Sequence, residues 1–224
     1  MLKVLQDELT GCRRCPRLVE WRERVGREKR RAYRDHEYWA RPVPGFGDPA
    51  ARLLVFGLAP AAHGANRTGR VFTGDRSGDW LFAAMHRAGF ASQPTSEHAA
   101  DGLTLHDAWV TGAVKCAPPD NLPTAEERDA CAPWVVRELG ALPALRAAVA
   151  LGGFAWGQLL RILRLAGHPV PVPQPKFGHG AEARVGERLT LVGSYHPSQQ
   201  NTFTGRLTPG MLDDVFAAAR LAIG

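Results

Sequence analysis

Two stretches of this chain hold residues whose types and spacing can do chemistry on a flat ligand. The apolar run Leu53-Leu54-Val55-Phe56 leads into Gly57-Leu58-Ala59-Pro60-Ala61-Ala62-His63-Gly64, and about ten residues later into Phe72-Thr73-Gly74-Asp75. A buried strand ending in Gly and Pro puts irregular backbone at the rim of a sheet, where amides, one ring and one carboxylate can converge. The second stretch, Ser194-Tyr195-His196-Pro197-Ser198-Gln199-Gln200-Asn201, also follows an apolar run and is rich in donors for which packing gives no reason. Loops at the carboxyl ends of parallel strands share one edge, so His196 and Asn201 are expected to face Ala59 and Asp75 across a single cleft. Each residue also has a plainer reading. His196-Pro197 suits a structural turn, and Asp75 suits a helix N-cap ahead of Arg76-Ser77.

The cysteines form a third set: Cys12-x-x-Cys15, then Cys116 and Cys131 about a hundred residues further on, with fourteen residues between them. Two disulfides are not expected in a cytosolic setting. A redox dithiol would use one pair and leave the other unexplained, whereas a four-thiolate site uses all four. The wide second spacing fits a cysteine-ligated iron-sulfur cluster better than zinc, with zinc and unligated buried thiols both left open.

Positioning these groups requires an α/β scaffold. After Leu53–Phe56, the strand candidates are Trp109-Val110-Thr111, Ala147–Leu151 and Leu189–Val192, apolar runs of the kind seen when both faces are covered. Helices are expected from Ser77 to Ala88, from the capping-box signal Thr124-Ala125-Glu126-Glu127 to about Leu139, from Phe154 to Leu165, and from Pro209 to Ala222. Leu2, Leu5 and Leu9 share a helical face near the start. Residues 40–50 carry too much Pro and Gly for a regular element. The alternation predicts a mainly parallel sheet of four strands with helices on both faces, in one domain spanning 1–224.

Composition narrows the partners. Of 224 residues, 45% are hydrophobic, and no apolar run is long enough to cross a membrane. The opening Met1-Leu2-Lys3-Val4-Leu5-Gln6-Asp7-Glu8 turns charged at once, so a cytoplasmic protein is expected. The formal charge of +6 favours an anionic partner such as a phosphate backbone, with surface solubility as the alternative. Arg22, Arg24, Arg27, Lys29, Arg30, Arg31 and Arg34 form either a solvated face or a phosphate-contacting one. No Gly-x-Gly-x-x-Gly or P-loop pattern occurs, which weakens a nucleotide-binding reading.

Taken together, Gly57-Leu58-Ala59-Pro60-x-Ala62-His63-Gly64-x-Asn66-Arg67-Thr68-Gly69-Arg70, Phe72-Thr73-Gly74-Asp75, Lys115-Cys116-Ala117-Pro118-Pro119 and His196-Pro197-Ser198-x-x-Asn201-Thr202 resemble the family 5 (type b) uracil-DNA glycosylases. The resemblance runs from Cys12 to about Thr208 and includes the order and spacing of the cysteines. It implies a three-layer α/β/α sandwich and a [4Fe-4S] cluster held by Cys12, Cys15, Cys116 and Cys131, which ties down an N-terminal helical extension. The implied activity is excision of deaminated bases from DNA by a monomer. It further implies that Phe72 stacks on the extruded base and that the Leu58 and Ala59 amides and His196 donate to it. Asp75 would orient water or offset sugar cation charge, and Asn121 would assist or merely cap its loop. Gly57, Gly112, Ser198 and Asn201 would line the base and DNA site, with Gln199 or Gln200 as the wedge.

Leu58 stands where more uracil-restricted relatives carry an acid or amide, and Gly112 follows Thr111 where they tend to place an Asn. Ala61 stands where the family more often shows Gly. Loss of a paired polar reader should relax selection, so hypoxanthine and xanthine are expected as substrates beside uracil. The rival class is a non-catalytic iron-sulfur or zinc protein that binds nucleic acid, which leaves Phe72–Asp75 and the His196 loop unexplained.

Overall fold

The computed structural model describes all of residues 1–224. Its helices are α1 (Leu2–Thr10), α2 (Pro16–Glu28), α3 (Ala65–Thr68), α4 (Arg76–Arg87), α5 (Ala125–Gly140), α6 (Gly153–Leu165), α7 (Gln199–Phe203) and α8 (Pro209–Ile223). Its strands are β1 (Phe46–Gly47), β2 (Leu53–Gly57), β3 (Ala108–Gly112), β4 (Ala147–Leu151), β5 (Glu182–Val185) and β6 (Leu189–Ser194). No helix is long and apolar enough to cross a membrane.

The strands form one six-stranded sheet in the order β1-β3-β2-β4-β6-β5. The expected four-stranded parallel sheet is therefore only its centre: β3, β2, β4 and β6 run parallel, and β1 and β5 add antiparallel edges. The four central strands are buried along their whole length, as their unbroken apolar runs require.

Alternate strand residues serve opposite faces. Leu53, Val55, Val110, Val149 and Val192 pack with Leu81 and Met85 of α4 and with Leu212 and Phe216 of α8. Leu54, Phe56, Trp109, Ala148 and Leu191 pack with Val135 of α5 and with Trp156 and Leu159 of α6. Two helices on each face make the three layers. The N-terminal helices lie outside this sandwich on a small core of Leu5, Leu9, Leu18, Val114, Cys131 and Trp134.

Local chemistry sets the helix starts. Thr124 accepts from the Glu127 amide at 3.2 Å while the Glu127 carboxylate accepts from the Thr124 amide at 2.8 Å, a complete capping box for α5. Pro16 and Pro209 open α2 and α8, where a missing N–H costs nothing.

Candidate active site and four-cysteine cavity

β2 sends its chain toward β3, and β4 sends its chain the opposite way toward β6, so the loops after them part at a topological switch point. Gly57 ends β2 level with Gly112 of β3, and Leu151 ends β4 level with Ser194 of β6. The loops that follow these four strands hold the expected site.

Phe72 lies over Gly57. A Cβ added to Gly57 would stand 2.7 Å from Phe72 Cζ, so only glycine lets the ring approach the strand end. Phe72 itself has φ 52°, a strained value for a bulky residue and one that a surrounding structure has to impose. Its ring centroid is 6.0 Å from that of His196, tilted 38°. Gly152, with φ 96°, lets the chain turn beneath His196, and a Cβ there would stand 3.4 Å from the His196 Cβ. Burial pushes His196 down to about 4, so the imidazole is neutral at physiological pH and keeps one N–H to donate.

Asp75 is indeed the N-cap of α4: Oδ1 accepts from the Gly78 amide at 3.0 Å. Oδ2 faces Gly64, where any side chain would collide with it. Burial raises the Asp75 carboxyl above its ordinary range, against the pull of the Gly78 and Ser77 amides. The cap occupies Oδ1, and the carboxylate chemistry expected of Asp75 would fall to Oδ2. The backbone amides of Leu58 and Ala59 donate to no protein acceptor, which leaves them free for a ligand.

Of the other expected residues, Asn201 spends its Nδ2 on the His196 carbonyl at 2.8 Å and so shapes the loop. Ser198 precedes α7 without capping it by its side chain, and Gln199 and Gln200 are exposed on that helix. Asn121 is exposed with φ 58° and no hydrogen bond of its side chain is formed within the protein. At Gly112 an added Cβ would make ordinary contacts at 3.5–3.7 Å with the Val114, Leu58 and Gly57 carbonyls, so a side chain can start there without a clash.

Several residues that hold the site have no role assigned from sequence, although Arg67, Arg70, Thr73 and Tyr195 lie in the motif stretches quoted above. Arg70, buried, bonds Thr73 Oγ1 at 3.0 Å, Ser96 Oγ at 2.8 Å and Asp101 Oδ2 at 2.6 Å, and Thr73 and Ser96 share a bond of 2.7 Å. Burial works to raise Asp101, but the Arg70 bond and the Leu103 and Glu97 amides bring it down to about 2. Arg67 clamps the same loop by donating to the His63 carbonyl at 2.8 Å and the Gly74 carbonyl at 2.9 Å. Tyr195 is held by its amide on His179 Nδ1 at 3.1 Å, with Arg206 4.7 Å over its ring. Long charged side chains read as surface in a basic chain, so only the fold reveals these roles.

All four cysteines line one cavity, of about 330 Å³ counting its mouth, together with Leu9, Leu18, Val19, Val114 and Trp134. No three His, Cys, Asp or Glu side chains in the chain are arranged to hold a single ion. Arg22 Nη1 donates to Cys116 Sγ at 2.9 Å, and the Lys115 amide donates to Cys131 Sγ at 3.3 Å. Arg22 is 2% exposed, so the basic stretch is neither wholly solvated nor wholly phosphate-facing. Its Nε, buried, has no partner. An apolar chamber with four sulfurs, N–H donors aimed at sulfur and an orphaned cationic N–H fits a thiolate-ligated cluster. Burial pushes the thiols up, Cys116 to about 11 and Cys131 to about 12, so as free groups they are poor redox nucleophiles.

The uracil DNA glycosylase superfamily model matches residues 44–220. A type-5 uracil-DNA glycosylase of Mycobacterium bovis is 56% identical over 96% of this chain and 80% of its own length. Those of Thermus thermophilus and Pyrobaculum aerophilum are 53% and 45% identical, each over more than nine-tenths of both chains. A type-4 uracil-DNA glycosylase of Pyrobaculum aerophilum is more distant at 27% over 88% of this chain and 83% of its own. The chain belongs to the uracil-DNA glycosylase superfamily, among its type-5 members.

Proposed function

We propose that this chain is a DNA repair glycosylase that hydrolyses the N-glycosidic bond of deaminated bases, uracil together with hypoxanthine and xanthine, and leaves an abasic site. The Phe72 ring, over Gly57 and 6.0 Å from the neutral His196, with the Asp75 carboxyl beside Gly64 three residues further along the same segment, carries the reading. The nucleotide is turned out of the duplex and its base stacks on Phe72. As the bond breaks, negative charge grows on the base and positive charge on the sugar. The Leu58 and Ala59 amides and the His196 N–H meet the first; the Asp75 carboxylate offsets the second and orients the attacking water.

Breadth follows from what the pocket lacks. The Leu58 side chain offers no polar group to water or base, and Gly112 has no amide side chain to read one pyrimidine edge. The four cysteines hold a [4Fe-4S] cluster that pins α1 and α2 to the domain; its contribution is structural. The protein acts on DNA as a monomer, in the cytoplasm.

The test is a panel of single- and double-stranded oligonucleotides carrying each deaminated base, cleaved at abasic sites with alkali, for the parent and Asp75→Ala. Excision of uracil and hypoxanthine by the parent, lost in the variant, supports the reading. Uracil release with inosine strands intact overturns the breadth, and binding without alkali-labile cleavage overturns the activity.

A further inference from the structure

We infer that Arg22 is a positioning residue of the four-cysteine site, supplying from α2 the buried positive charge and the N–H donors that hold an anionic cluster's sulfur edge in place. The inference rests on the reading above that Cys12, Cys15, Cys116 and Cys131 hold an iron-sulfur cluster.

A fully buried guanidinium is costly unless a counter-charge meets it. The one carboxylate within 4.0 Å of the Arg22 guanidinium is Glu23, whose Oε1 is 3.9 Å away and which already serves Arg13 through two bonds. What Arg22 does touch is the cysteine cavity: Nη1 donates to Cys116 Sγ at 2.9 Å and Nη2 to the Cys12 carbonyl at 3.2 Å, while Nε, also buried, has no partner. One side chain thereby joins the Cys12–Cys15 half of the site to the Cys116 half. The other buried cation lining the cavity, Lys115, is 2.7 Å from Glu138 Oε2 and so already neutralised. Arg22 is left as the uncommitted charge, and four thiolates around an iron-sulfur core are the anion that balances it.

The backbone of Arg22 is fixed as firmly as its side chain. Its carbonyl accepts from Asn66 Nδ2 at 3.2 Å, and Asn66 is fully buried in α3, two residues after the Gly64 that abuts Asp75. The guanidinium therefore enters the cavity from an anchored point, and the cysteine site and the base pocket share that anchor.

The experiment uses the full chain purified with its cluster, in parent form and as Arg22→Met and Arg22→Lys. It reads the visible charge-transfer absorption, its decay in air with an iron chelator, and the cluster's reduction potential by voltammetry. Methionine fills much of the same space without charge or donor, so absorption is expected to decay severalfold faster and the potential to move negative. Lysine restores the potential toward the parent but not the lifetime, because a point charge lacks the guanidinium fork. A side chain that merely fills space would leave the potential unmoved. If Arg22→Met does not accumulate, Arg22→Gln carries the same expected fall in potential. Parent-like lifetime and potential in the uncharged variants overturn the inference. Absence of the absorption band from the parent overturns the cluster reading beneath it.

Discussion

At Asp75 the helix cap and the carboxylate chemistry can be separated, because asparagine keeps a capping oxygen but carries no charge. Asp75→Asn is expected to lower single-turnover excision by about 10²–10⁴-fold while melting close to the parent. Asp75→Ala should lose the activity and, in addition, about 0.5–2 kcal/mol of stability with the cap. Parent-like excision by the asparagine variant would shift the chemistry to His196 or Asn121. The pH profile carries the same signature. In the proposed role Asp75 acts ionised, and its carboxyl is raised, so excision is expected to be lost on acidification at a higher pH than an ordinary carboxylate would give. His196 stays neutral down to about 4, so kcat/KM should show no imidazole inflection in the ~pH 5–8 range where an unperturbed ring titrates.

Between α3 and α4, the loop bearing Phe72 and Asp75 depends on the buried Arg70–Asp101 pair, whose side chains are 7% and 8% exposed. Asp101→Asn leaves the Arg70 charge uncompensated and is expected to cost about 3–5 kcal/mol in urea unfolding. Because the folded-state value of Asp101 is depressed, its contribution is complete above the ordinary aspartate range and is lost as pH falls toward about 2. At the end of β3, Gly112→Asn meets only ordinary contacts at its Cβ, so the fold should accept it. The expected result is a lower hypoxanthine-to-uracil excision ratio in competition with both substrates; an unchanged ratio would mean that Gly112 does not set the breadth.

The same elements show what the amino-acid pattern discloses. β2, β3, β4 and β6 are legible because burial on both faces demands unbroken apolar runs, and α5 because Thr124 and Glu127 cap it from both sides. β1 escapes notice as two residues inside a Pro- and Gly-rich stretch, and β5 because Glu182 and Arg184 point outward from an edge. α3 and α7 are too short to show a helical period. The motifs around Gly57, Asp75 and His196 are visible because rim loops concentrate unusual residues. The roles of Arg22 and Arg70 are not, since a charged side chain announces neither its burial nor its partner.

Across the whole molecule, the N-terminal helices meet the sandwich through Leu5, Leu9 and Leu18, which pack with Val114, Cys131 and Trp134 at the cysteine cavity. Cys116→Ala should reduce folded yield and lower the melting temperature, and full yield with full excision would remove the structural role of that site. Cys12 and Cys15 lie about a hundred residues ahead of Cys116. Any group held by all four sulfurs therefore closes a chain loop whose entropy in the unfolded state is worth about 4–5 kcal/mol on the chain-entropy account. It also imposes an order on biosynthesis. At ~5–20 residues per second, a ribosome releases the first two cysteines on the order of ten seconds before the last. During that interval the Leu5 and Leu9 face has Leu18 but lacks Val114, Cys131 and Trp134, and the early thiol pair stands without its two later partners. A cluster held by all four sulfurs, as proposed above, would therefore be completed only late in translation.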